Sequence, residues 1–123
     1  MPNIAAQTFV PTGRLVRGYA ELLLKDIKPA DFARQPNGVN CNHPAWCYGH
    51  LSVYPNAILE MIGRADLVKP NAKFKELFDN KTVCRDDPGA RIYPSMEEIT
   101  SYFFERTDAA LAAALEVDDA AFA

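Results

Sequence analysis

The amino-acid sequence predicts an all-α protein: an up-down helical bundle with three long helices and one short one. Three observations carry this prediction. Apolar residues recur at three- and four-residue spacing in three long segments. Prolines, a glycine and a capping signature fall at the ends of those segments, where helices start and stop. No stretch keeps the two-residue alternation of a half-buried strand. At 123 residues, 49% apolar and 24% charged, the chain is the size of a single domain over 1–123.

The first helix is expected over 12–27, where Leu15, Val16, Tyr19, Leu22, Leu23 and Ile27 form one apolar stripe. Lys25 and Lys28 suit its negative C-terminal end, and Pro29 restricts the residue before it and ends the run. The polar stretch 31–42 reads as a loop. A second helix begins near Asn42 or His43, with Pro44 in the first turn where its missing N–H costs nothing, and ends at Gly63. Its expected buried face is Trp46, His50, Val53, Ala57 and Met61, flanked by Leu51, Tyr54, Ile58 and Ile62. Pro55 removes one hydrogen bond and presses on the carbonyl of Leu51, which predicts a kink one turn after His50.

A short helix is expected over 71–78, then an exposed connection over 79–93 containing Asp87-Pro88-Gly89. Ser95-Met96-Glu97-Glu98 has the form of a capping box and opens the third long helix. Met96, Ile99, Phe103, Ala110, Leu111, Ala114 and Leu115 continue its apolar face to about residue 115, and Asp118 or Asp119 would cap a further turn. Three stripes and one fragment leave a bundle one wall short, because each stripe needs a cover.

The chemistry on offer is sparse. The net charge of −3, with scattered basic residues, gives no footprint for nucleic acid or anionic lipid. No window has the roughly 20 apolar residues of a membrane span, and the start lacks the pattern of a signal peptide, so a cytoplasmic protein is expected. Cys41, Cys47 and Cys84 cannot all pair within one chain and are expected to be reduced. His43 and His50 are the two imidazoles. Seven residues along a regular helix separate them by about 10 Å, too far to share one metal ion. His43 reads as a cap. His50, on the apolar face, must find a partner for its ring, with Tyr54 and Cys47 within reach. Cys41, His43, Cys47 and His50 also form a weak Cys/His cluster of zinc-ligand type. Glu97, Glu98, Glu105 and Asp108 read as solvated charges on the third helix.

The run Asn42-His43-Pro44-Ala45-Trp46-Cys47-Tyr48-Gly49-His50-Leu51, preceded by Arg34-Gln35-Pro36 and followed by Ile58-Leu59-Glu60-Met61-Ile62-Gly63, resembles the second helix of DinB-like (YfiT-like) proteins. Tyr93-Pro94-Ser95-Met96-Glu97-Glu98 resembles the opening of that family's third helix, so the resemblance covers most of the chain. It implies a four-helix bundle, usually a homodimer, in which three histidines bind a divalent metal, commonly zinc or nickel. Among the members are metal-dependent thiol transferases acting on small-molecule substrates. On this resemblance His50 is the first metal ligand. The other two ligands form a His-x-x-x-His pair on the last helix, which nothing in this sequence matches. The fourth helix is therefore expected to be missing or supplied by a partner. The alternative from another class is a non-catalytic helical module that self-associates through its uncovered stripe.

Overall fold

The computed structural model describes residues 2–37 and 39–123, and all regular structure among them is helical. The elements are α1 (Ile4–Leu23), α2 (Pro44–Ser52), α3 (Tyr54–Met61), α4 (Ala72–Phe78) and α5 (Met96–Glu116), with 3-10 turns at Pro29–Asp31, Ala65–Leu67 and Asp119–Phe122. α5 is the axis. α1, α2 and α3 all pack on it, and α4 packs on α2.

α5 starts as its sequence requires, with the Ser95 hydroxyl accepting from the Glu98 N–H at 3.1 Å. Its inward residues Ile99, Phe103, Arg106, Ala110, Ala113 and Ala114 follow helical spacing and change character along the axis. The first half packs into an aromatic cluster with Phe32, Tyr48, Phe74, Phe78 and Tyr93. The alanine-rich second half lets Leu59 and Ile62 approach on one side, and Ala6 and Val10 on the other.

Pro55 acts more strongly than a kink. The expected second helix is divided at Val53 into α2 and α3, with Pro55 in the first turn of α3. α3 ends at Gly63 as expected, in a Schellman motif. Gly63 has φ +80°, the Arg64 N–H donates to the Leu59 carbonyl at 2.8 Å, and the Gly63 N–H donates to Glu60 at 3.1 Å. The buried face, however, is not the one the large apolar residues indicate. Ala45, Tyr48, Gly49, Ser52, Pro55, Leu59 and Ile62 face inward, while Ala57 is exposed and Met61 is 80% exposed. Close approach decides this: a Cβ on Gly49 would run into the Phe78 ring, so small residues mark the packed side.

α1 departs from expectation in both bounds and direction. It begins at Ile4, runs through Pro11 and stops at Leu23, five residues before Lys28-Pro29. Its start is held from the far end of the chain. Asp119 accepts from the Ala5 N–H at 2.9 Å, and the Asn3 amide donates to the Leu115 carbonyl at 2.7 Å. Ala6 and Val10 are its buried residues, and Gly13 lies so close to α5 that a Cβ would sit 2.6 Å from Leu111. The stripe of Leu15, Val16, Tyr19, Leu22 and Leu23 faces away from the core, with Leu15 74% and Tyr19 61% exposed.

The 79–93 connection carries no helix, yet it is not simply exposed. Cys84, Asp87 and Tyr93 are buried. The Asp87 carboxylate accepts from the backbone N–H groups of Arg91, Ile92 and Tyr93 at 2.8, 2.9 and 2.9 Å, which folds the Asp87-Pro88-Gly89 turn around one side chain.

Candidate functional site around His50

The two histidines have different environments. His43 is the N-cap of α2 and only 1% exposed. Its Nδ1 accepts from the Trp46 N–H at 3.1 Å, so the proton resides on Nε2, which donates to the Arg85 carbonyl at 2.7 Å. Both ring nitrogens are used within the fold. A metal at His43 would have to break the cap or the tie to the 79–93 segment.

His50 is half-buried in the last turn of α2. Its Nδ1 lies 2.7 Å from the Phe78 carbonyl, which can only accept, so Nδ1 carries the proton. Nε2 therefore presents a lone pair, met by the Tyr54 hydroxyl at 3.2 Å. The ring plane is fixed by Trp46, stacked at 4.5 Å between centroids with planes 10° apart, and by the edge-on ring of Tyr54 at 5.2 Å. A ring N–H donated to a backbone carbonyl, with the opposite nitrogen turned outward, is how proteins orient an imidazole for a metal.

Tyr54 also joins His50 to a cleft of about 470 Å3 between α3 and α4. Val53, Ala57, Val68 and Ala72 supply apolar wall, while Lys75 and Asp79 bring charge to it. Behind the cleft is a polar network not foreseen in the sequence. Arg106, 2% exposed, donates to Asn56 Oδ1 at 3.2 Å, to the Leu67 carbonyl at 2.8 Å and to Glu105 at 3.1 Å. The Tyr102 hydroxyl donates to the Lys69 carbonyl at 2.8 Å and receives the Asn56 amide at 3.1 Å. Burial pushes the Tyr102 hydroxyl above its ordinary pKa, against the Asn56 hydrogen bond and the Arg106 charge. The signal for Arg106 was its register: it falls on the same helical face as Ile99, Phe103 and Ala110.

The carboxylates of α5 are tied elsewhere. Glu105 pairs with Lys69 at 2.9 Å, and Lys69 chiefly holds its carboxyl below the usual range. Asp108 pairs with Arg17 at 3.0 Å, joining α5 to α1. Cys41, Cys47 and Cys84 are free thiols. Burial raises the pKa of Cys47 and Cys84, which makes them poor thiolates. Ser52 is buried and donates to the Gly49 carbonyl at 2.6 Å, a bond within its own helix.

Among the described residues, no group of three His, Cys, Asp or Glu side chains is arranged to hold a metal ion. The Cys41, His43, Cys47 and His50 cluster is thus not brought together as a ligand set. His50 fits the role of one nitrogen donor, while a catalytic zinc site takes three protein ligands. No helix among the described residues is long and apolar enough to cross a membrane. Comparisons with protein-family models, curated proteins and solved structures find no match to the chain.

Proposed function

We propose that the chain is a DinB-like helical domain in which His50 is one ligand of a divalent metal, zinc or nickel, and in which a fourth helix brings the remaining ligands. The orientation of the His50 ring carries this reading: Nδ1–H is held by the Phe78 carbonyl, and Nε2 meets the hydroxyl of half-exposed Tyr54. The adjacent cleft is the place for a small-molecule substrate. Thiol transfer, the activity that the resemblance implies, belongs to the completed site.

Trp46 provides the test, because it is the single tryptophan and stacks on His50. Titration with Ni2+ should quench its emission saturably. Tyr54→Phe should tighten the response by releasing Nε2, and His50→Ala should abolish it while His43→Gln keeps it. Absence of saturable quenching in the wild type, or quenching that survives His50→Ala, rejects metal binding through His50 by this chain.

A second reading, a self-associating module forming a homodimer, is favoured by the outward-facing stripe of α1. As a non-catalytic module it needs no metal and is the alternative to the first reading, sharing with it only the homodimer.

A further inference from the structure

We infer that α1 is a self-complementary interface, which pairs antiparallel with α1 of a second copy about a two-fold axis at Tyr19. This deepens the self-association reading and is independent of any metal at His50.

The argument starts from the pattern of the exposed residues. Leu15, Val16, Tyr19, Leu22 and Leu23 are between 55% and 74% exposed. At 100° per residue they lie on one strip, opposite the face that carries Val10 and packs on α5. Their spacing is symmetric about Tyr19, with apolar positions three and four residues to either side. Reversing the helix leaves that pattern unchanged, which is what an isologous two-fold contact requires. In antiparallel register Leu15 meets Leu23 of the second copy, Val16 meets Leu22, and Tyr19 meets Tyr19.

The neighbouring charges stand outside the strip: Arg17 and Glu21, two residues either side of Tyr19, lie on the far side of the helix, where Arg17 pairs with Glu21 and with Asp108 of α5. Gly18 borders the strip and has no heavy atom within 4 Å of where a Cβ would stand. Among the described residues nothing fills that space, and a glycine inside a helix is otherwise unfavourable. An approaching helix gains room there.

The size is also sufficient. Five side chains that each hide about 60–120 Å2 give roughly 600–1,200 Å2 of apolar surface for the pair. With the flanking polar residues this reaches the roughly 1,200–2,000 Å2 typical of stable interfaces.

Sedimentation equilibrium of the 123-residue chain and three variants tests this assignment. The wild type should dimerise. Tyr19→Glu should weaken dimerisation about thirtyfold or more while leaving the helical circular dichroism unchanged. Met61→Glu, on the exposed side of α3, should have no effect. Gly18→Gln should raise the monomer's thermal stability yet weaken the dimer, a pair of opposite changes that a purely internal role for Gly18 does not produce. A monomeric wild type overturns self-association altogether. A dimer indifferent to Tyr19→Glu, or broken by Met61→Glu, overturns the α1 interface but leaves self-association standing.

Discussion

Asp87 illustrates how much one side chain decides. Burial alone would raise its pKa, but the N–H groups of Tyr93, Arg91 and Ile92 outweigh that and hold the carboxyl below its ordinary value. Its folded pKa thus lies below its unfolded one. The stabilisation is complete above the unfolded carboxylate range near 4 and is lost as pH falls through the depressed folded value. Asp87→Ala should cost about 2–3 kcal/mol at neutral pH, because it strands buried donors. It should also flatten the acid limb of the stability curve. Urea melts at neutral pH and at about pH 3 check both, and an unchanged acid dependence in the variant would show that other carboxylates set it.

At the scale of elements, the cap of α2 is the most informative. His43 joins the helix start to the Arg85 carbonyl, so His43→Ala should lose about 2–4 kcal/mol, the sum of a cap and an unpaired buried acceptor. His43→Asn should recover about 1 kcal/mol, since Asn can still cap. Chemical denaturation of the two variants side by side measures the difference.

The same elements show what could be read in advance. The caps at His43 and Ser95, and Asp118 as one of two candidates, were legible, because a side-chain acceptor followed by helix formers is a local signal; the cap at Asn71 was missed. A disturbance at Pro55 was legible as a kink, from the missing N–H of proline, but its extent, a division into two helices, was not. The buried side of α2 and α3 was not. Gly49 packs there because Phe78, distant in sequence, occupies the space a larger residue would need, and Ser52 is buried on the same side. The start of α1 was hidden too, since its caps come from Asp119 and the docking of Asn3 on Leu115. For the candidate site, the sequence singled out His50 for its place on an apolar helix face, and its two ring partners were divided. Tyr54 is one turn away, whereas the Phe78 carbonyl depends on how α4 folds back.

The whole molecule is an α5 spine with unequal attachments. α2 and α4 share the aromatic core with it, and α3 joins it through Leu59 and the Asn56–Arg106 bond. α1 is attached along its length: Ala6 and Val10 on Ala114 at one end, the Arg17–Asp108 pair further along, and Ala20 on the aromatic core, its carbonyl accepting from the Tyr48 hydroxyl. Asp119→Ala should loosen the start of α1 selectively. Its first-turn amides should exchange with solvent about tenfold faster or more, on about 1–2 kcal/mol of lost capping, while amides of α5 near Phe103 keep their protection. Hydrogen exchange read residue by residue checks this, and uniform acceleration would show that the helices open together.

The bond from Asp119 to Ala5 closes a span of 114 residues. Contacts that distant carry the full entropic penalty of loop closure and form late unless something nearer prepares them. The expected order of assembly is that the aromatic half condenses first around α5 and the first turns of the N-terminal helix dock last, onto a platform already built. Until that final step its greasy outer strip and its inner face are both bare to water. The interval before docking is when the polypeptide is most prone to capture by another copy or a chaperone.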